Sequence, residues 1–415
     1  MKPLTDLSFK TEYSVKARDM ERSEPSKMML IESIMVIVTV TFSVRASNNL
    51  VMTSVPLLVR YDFGFSQTLV GFLTALSSVA TFLSTTFLNA KLKSSVRRIS
   101  FVAANALYAL ALIMFYFSTP FSVWLVTGSA GAILGLIMPN LVTSASLFRD
   151  AVLRERVLAL YTVSLSLSLI CGPLIESYLL TVISLKAVFL FFSIFGFLAT
   201  VMSVFIKFPA DRGKGEKTKV VSNHGFQVSL FSIMAYNIPF SILLAFAGIY
   251  EKDTFGISLS VVSLLFSIFF AASFCTRLFL FARPARFVGR YMVMSMILSI
   301  TGIAVMIVSG NVILFSVSLV FLGIPHGLSY PLSVLTISRS FRPEHRNIAN
   351  SYFYSIMMFV GILLPLVGGF MVDSISFRGT LLVIVFIIIA LLALTVRALG
   401  RWHMEKNQTE KEQAS

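Results

Sequence analysis

The chain reads as an all-α membrane protein, with twelve transmembrane helices in two pseudo-symmetric six-helix bundles. Three observations predict this. Of its 415 residues, 56% are apolar and only 13% charged, at a mean hydropathy of +0.86. Apolar runs of roughly 20 residues, enough to cross a bilayer, recur twelve times. The cations alternate from one side of those runs to the other. A soluble domain of this composition could not cover its surface with polar groups, and disorder needs low hydrophobicity.

The runs follow in order. Residues 31–59 come after a mixed-charge tail (1–30) and are too long for a signal-peptide core, so they read as an uncleaved first crossing. Runs 2 to 6 are 66–88, 99–117, 121–147, 157–180 and 185–206, completing an N-terminal bundle over 31–206. The polar stretch 207–227 is a linker. Runs 7 to 12 are 228–250, 259–281, 291–309, 312–338, 348–372 and 379–399, a C-terminal bundle over 228–399 with a polar tail at 400–415.

Of the 34 Lys and Arg residues, 28 fall on the side shared by both tails and the linker. The other side holds only Arg60, Lys186, Lys252 and Arg378. This asymmetry places both termini in the cytoplasm of a multi-pass cell-membrane protein. It also accounts for the net charge of +15 by contact with the cytoplasmic leaflet, so no nucleic-acid partner is expected.

No polar stretch could hold a soluble catalytic domain, and the sequence has no G-x-x-x-x-G-K-[ST] loop and no H-E-x-x-H motif. An enzyme is not expected. Cys171 and Cys275 lie in apolar runs, and the four histidines have no ligand spacing. Neither a disulfide framework, a metal nor a cofactor is implied.

The halves repeat. Run 4 contains Gly135-Leu-Ile-Met-Pro139 and run 10 contains Gly327-Leu-Ser-Tyr-Pro331, offset by 192. The connections that follow carry Glu155-Arg156 and His345-Arg346, and then run 5 has Gly172-Pro173 where run 11 has Gly361 and Pro365. Such duplication is typical of secondary transporters.

With six runs on each side of a basic linker, basic connections 2–3 and 8–9, and Gly172-Pro173, residues 31–399 resemble the major facilitator superfamily. Within it they look most like the twelve-helix drug-efflux carriers. The resemblance implies alternating access around a central cavity lined by helices 1, 4, 7 and 10. It also assigns gate roles to Arg97 and Arg98, to Gly172 and Pro173, and to Gly289 and Arg290. The family's loop 2–3 motif G-x-x-x-D-R-x-G-R-R survives only in its final arginines, with Asn89 for the first glycine and Lys93 for the acid. The helix 4 motif L-x-x-R-x-x-Q-G has Thr127 for Arg and Ala130 for Gln, and the helix 5 motif ends Glu176-Ser177 instead of Gly-Gly. Any proton coupling would therefore use other groups.

A charge inside the hydrocarbon region costs at least roughly 2.5–3.5 kcal/mol, so it needs a partner, water or a function. Three charged residues, set in from the ends of their runs, are candidates for such a role. Arg45 is central in run 1, with Asn48, Asn49 and Met52 at i+3, i+4 and i+7. It either binds an anionic group or tunes the pKa of a nearby acid, or it is a structural Arg held by helix-end carbonyls or a neighbouring acid. Glu176, near the outer end of run 5, is either a proton carrier or a hydrated carboxylate at the interface. Arg277 is about one turn from the cytoplasmic end of run 8 and can snorkel to the headgroups, which favours a gate or structural role.

Asn237 precedes Pro239 in run 7. In run 10, His326 and Tyr330 are flanked by Gly323, Pro325, Gly327 and Pro331, a pattern expected to bend or unwind the helix and expose backbone to a cavity. His326 is either a titrating group or a structural histidine. Asn347, Asn350, Ser351 and Tyr354 form a stripe near the cytoplasmic gate. Gly128, Gly131 and Gly135 read as close-packing sites.

The expectation is a monomeric secondary active transporter for a small organic solute. Arg45, Asn48, Asn49, Asn237, His326 and Tyr330 are its binding residues, Glu176 and His326 its proton carriers, and Arg97, Arg98, Gly172, Pro173, Arg277, Gly289, Arg290 and Asn350 its gate residues. Proton-coupled export of drug-like or amphipathic compounds is one reading. Uptake of an anionic metabolite, or a non-transporting sensor on a degenerate carrier fold, are the others.

Overall fold

The computed structural model describes residues 27–89, 92, 94–145, 151–206, 220–283, 287–341 and 343–414. The tail before residue 27, most of the predicted linker and Lys93 lie outside the described residues, as do the side chains of Glu155, Arg156, Arg346 and Asn347. Among the described residues the regular structure is helical. The first six helices are α1 (Lys27–Tyr61), α2 (Gln67–Leu88), α3 (Ser94–Tyr116), α4 (Ser122–Ala145), α5 (Ala151–Leu179) and α6 (Leu185–Ser203). Then come α7 (His224–Phe255), α8 (Leu259–Ala282), α9 (Val288–Val308) and α10 (Val312–Ser340).

The last helical stretch, Pro343–Ala414, is 72 residues long, and at 1.5 Å per residue it would far exceed a bilayer if straight. It folds back at Ser376, where φ is 67°, and the Ser376 hydroxyl accepts the Gly379 N–H as a new N-cap. The two arms are α11 (343–375) and α12 (377–414). Trp402 lies beside Gly225 and Ser340, so α12 returns to the face where the linker joins. The described residues thus form twelve crossings, six on each side of the linker.

Local chemistry sets the helix boundaries. Ser66, Ser184, Asn223, Ser258 and Asn311 each cap a helix through a side-chain oxygen. Gly256, at φ 65°, terminates α7 in the left-handed region. That ending corrects the expected limit of residue 250: α7 continues through a π-helical segment, Leu243–Ala247, that follows Pro239. Glu251 therefore lies inside a helix and is fully buried, not in a polar turn. The C-terminal stretch is likewise helical through Ala414.

Lipid is as apolar as Leu, so helix association rests on close van der Waals packing. Gly131 and Gly135 of α4 face the backbone of α2, and Thr81 and Thr85 donate to their carbonyls at 2.9 and 3.1 Å. Gly323 and Gly327 do the same for α10, against the carbonyls of Phe269 and Ser273 in α8. This overturns the expectation that helix 10 unwinds at its Gly-Pro pattern. Residues 312–340 form one continuous helix through Pro325 and Pro331, and their glycines serve helix packing.

The largest core cluster runs through the N-terminal half and into the end of the C-terminal half remote from the linker. Two smaller clusters, at the linker end of the C-terminal half, contain residues of that half and Val220 of the linker, and none of the N-terminal half. The halves are joined at the far face and separate toward the linker face. At the far seam, Gly71 of α2 lies against Pro365 and Gly369 of α11, and Gly369 lies against Gln67 and Thr68.

Gly131→Ala should be costly, because its Cβ would collide with the Ser77 backbone. Gly128→Ala should be close to neutral, because its Cβ would meet only the Leu76 side chain at 3.6 Å. The expected loss for Gly131→Ala is about 1–3 kcal/mol, read as a lower melting temperature in detergent than for the Gly128 variant.

Candidate functional site

The exposed stripe of α1 places its central cation. Arg45, Asn48 and Met52 are accessible to differing degrees, while their neighbours Val44, Ala46 and Ser47 are buried. The Asn48 amide approaches the Met52 sulfur at 3.6 Å. Asn49 does not share this face. It is 3% exposed and turned into the packed interior, with its carbonyl accepting from Thr53. Gly172 and Pro173 of α5 are buried, and the absence of a side chain at Gly172 lets α5 approach Ala46, one residue from the cation. From that helix the Tyr161 hydroxyl accepts Arg45 Nη2 at 3.3 Å.

Arg277 enters from the other half. Its Nη1 donates to Ser166 Oγ on α5 at 3.1 Å, so it turns into the bundle. This corrects the snorkelling expectation. The charges of Arg45 and Arg277 act on each other, and both act on the Tyr330 hydroxyl of α10. Tyr161 and Tyr354 of α11 also lie within electrostatic range of Tyr330. Tyr330 is 46% exposed, and Asn350, Ser351 and Tyr354 are exposed beside it. Five helices thus bring two guanidiniums and three phenols within electrostatic range of one another between the halves.

Among the described residues no acid balances these cations. Among the described residues the single ion pair is Arg60–Asp253, 3.8 Å apart at the far face. The Nε atoms of Arg45 and Arg277 are both buried without a hydrogen-bond partner.

Beside this space lies an aromatic box. His326 shares a 2.7 Å hydrogen bond with Ser273 Oγ. Its ring lies 4.8 Å from Phe240, 5.3 Å from both Tyr236 and Phe269, and 5.5 Å from Phe270. Asn237, next to Tyr236, is half-buried, and its carbonyl accepts from Ser241.

Glu176 is 1% exposed, so it is not a hydrated interfacial carboxylate. It accepts a hydrogen bond from Ser54 of α1, and Ser263 of α8 lies within hydrogen-bonding reach from the opposite half. It belongs to the far seam, where Ser260 donates to the Ser177 carbonyl at 2.7 Å and Ser267 to the Ile170 carbonyl at 2.5 Å. Tyr61 donates to Asp253 at 2.8 Å. Asp373 of α11 accepts the backbone N–H groups of Gln67 and Thr68 at 3.2 and 2.7 Å and the Thr68 hydroxyl at 2.6 Å, capping the N-terminus of α2. Asp253, Asp373 and Tyr161 carried no sequence signal, because each acquires its role from a partner more than a hundred residues away.

The remaining gate candidates are dispersed. Arg97 donates to the Leu92 carbonyl at 3.0 Å, and Arg98 to the Val204 carbonyl at 2.6 Å, fastening α3 to the end of α6. Asn89, in the place of the motif's first glycine, accepts from Asn140 of α4 at 2.6 Å. Gly289 faces Leu399 of α12, and Arg290 lies over the Phe287 ring at 4.7 Å, on the outer side of the C-terminal half.

The sequence profile of the Major Facilitator Superfamily matches residues 37–250 and 225–414. The chain belongs to this family; it is a multi-pass membrane transporter and not an enzyme. No curated protein matches it. Among solved structures it is similar to a bacterial homolog of the human lysosomal transporter Spinster in an inward-facing, occupied conformation. The identity there is 12%, covering 91% of this chain and 98% of that one, at a TM-score of 0.67. The unoccupied inward-facing form of that homolog gives 12% identity, coverage of 90% and 98%, and a TM-score of 0.69. A variant of the nucleoside transporter NupG gives 13% identity, coverage of 88% and 99%, and a TM-score of 0.67. At such identities the likeness is one of fold.

Asp373→Asn should loosen the far seam. A carboxylate at an exposed helix N-terminus contributes about 0.3–1 kcal/mol, so the open population at that face should rise roughly two- to fivefold. Maleimide labelling of a single cysteine introduced at Ser177, with Cys171 and Cys275 replaced by Ser, measures this. An unchanged labelling rate would show that Asp373 does not hold the seam.

Proposed function

We propose that the chain is an alternating-access carrier of a small amphipathic organic anion. The supporting observation is the pair Arg45 and Arg277, contributed by opposite halves, facing one space, with no described carboxylate paired to either. A guanidinium at membrane depth costs several kcal/mol in the absence of a counter-charge, and two within range repel each other. An anion lowers both costs together. Guanidinium forks suit carboxylate or phosphate, with bonds about twice as strong as neutral ones. Tyr161, Tyr330 and Tyr354 supply further hydroxyls, and the box around His326 offers an apolar wall for an aromatic or acyl portion. The amphipathic and the anionic readings of the sequence thus meet in one ligand class.

The cation count supports a cytoplasmic linker face, and in this state the cavity would open to the cytoplasm. Glu176 is the carboxyl best placed to carry a coupling proton. It lies on the far seam between Ser54 and Ser263, where opening of that seam would expose it to the outside. The cavity lies between the halves of one chain, so a monomer suffices.

The test is a thermal-shift screen on purified protein with arylcarboxylates, alkyl phosphates and amphipathic amines, followed by counterflow in proteoliposomes. Stabilisation by one or more anions and by none of the amines is expected. Arg45→Gln and Arg277→Gln should each weaken the anion's effect by roughly tenfold or more, the cost of one charge-assisted hydrogen bond. Stabilisation by amines alone, or undiminished anion binding when both arginines are Gln, would reject the anionic assignment.

A further inference from the structure

A second group of basic side chains lies away from the central space. α9, α10 and α12 enclose an open groove of about 930 Å³ on the outer side of the C-terminal half. Its mouth holds Arg290, Arg339 and Trp402; its depth is lined by Met294, Ile297 and Val396, all substantially exposed. All of its described lining residues belong to the C-terminal half, so it is separate from the cluster of Arg45 and Arg277.

Depth along the helices orders this lining. Arg290 is the third residue of α9 and Arg339 the last but one of α10, so both lie at the linker face. Met294 and Ile297 are four and seven residues further along α9, roughly 6 and 10 Å deeper. Trp402 lies at the same level as the arginines, where indole rings favour the interface. Cationic groups thus stand at headgroup height above an apolar trough at acyl height. Among the described residues no acid lines the groove and neither arginine is in an ion pair. Arg290 is steadied over the Phe287 ring. Basic pockets between membrane helices on the cytoplasmic side suit anionic lipid headgroups.

We infer that this groove is a binding site for one anionic phospholipid of the leaflet at the linker face. The phosphate would sit between Arg290 and Arg339, and an acyl chain would run along Met294, Ile297 and Val396. The inference is independent of the transported solute, since it involves neither Arg45 nor Arg277.

The experiment is native mass spectrometry of the full-length chain. The protein would be purified in neutral detergent and equilibrated with equal amounts of phosphatidylglycerol and phosphatidylcholine of matched chains. Wild type should retain phosphatidylglycerol preferentially. Arg290→Gln together with Arg339→Gln should lower that retention roughly tenfold or more. Arg283→Gln, which removes a cation of the same face outside the groove, should not. Ile297→Trp, at a half-exposed position, should displace lipid of either headgroup by filling the trough. Melting temperatures in lipid-free detergent, unchanged among these variants, confirm that all are folded. Equal retention of the two lipids by wild type, undiminished phosphatidylglycerol on the double arginine variant, or an equal loss with Arg283→Gln would each overturn the assignment.

Discussion

The cost of a charge in hydrocarbon governs this structure. Within the bilayer an ionised side chain without water or a counter-charge is penalised by several kcal/mol, and every polar backbone group must be satisfied internally. Most cations therefore fall, in the sequence, in the connections and tails on one side of the apolar runs. Arg60 pairs with Asp253 at the other face, and Asp373 is neutralised by the amino end of α2. Arg45 and Arg277 remain at depth with only hydroxyl partners. The same cost that confines the other charges makes these two the strongest pointers to an anionic ligand.

Composition, periodicity and charge asymmetry suffice to read the twelve crossings and the central place of Arg45, because those properties are local. What the sequence conceals is direction across helices. Arg277 lies near a helix end in sequence, which suggests snorkelling, yet Ser166 on α5 draws it inward. Asn49 fits the spacing of the polar stripe, but a four-residue step at 100° per residue carries it beyond the narrow accessible face that Arg45 and Met52 define. In α10 the Gly-Pro pattern was legible and its meaning was not. The same glycines that can loosen a helix also let a neighbour's carbonyls approach, and only the placement of α8 decides between the two. Glu251 was hidden by its neighbours Lys252 and Asp253, which make the end of α7 look like a polar turn.

Close packing by small residues ties the far seam to the two arginines. Gly172 brings α5 against α1 at Ala46, beside Arg45, and α5 also carries Tyr161, Ser166, Glu176 and Ser177. One helix therefore touches both guanidiniums and, two to three turns farther along, the far seam. The degenerate loop 2–3 motif fits this arrangement. Arg97 and Arg98 bond to carbonyls of their own half and Asn89 to Asn140, so these residues fasten the N-terminal half internally.

The chemistry of the seam sets what the cavity can do. Its polar contacts pair hydroxyls and carboxylates with hydroxyls and backbone groups, and Arg60–Asp253 is its one ion pair among the described residues. Neutral hydrogen bonds contribute about 0.5–1.5 kcal/mol each, bonds to a carboxylate such as Asp373 about 1.5–3, and exposed ion pairs about 1 or less, so no single contact locks the seam. Closure is the sum of several weak terms with the Gly71–Pro365 and Gly369–Gln67 packing. A ligand that neutralised both guanidiniums would act on a comparable scale, through charge-assisted bonds of about 1.5–3 kcal/mol. Because Arg277 reaches α5 from α8, the two helices that share the seam serines, an anion held between Arg45 and Arg277 would draw on both halves at once. Comparable magnitudes at the two ends are what a carrier requires: a seam much stronger than the ligand's contribution would never open, and a much weaker one would open without cargo.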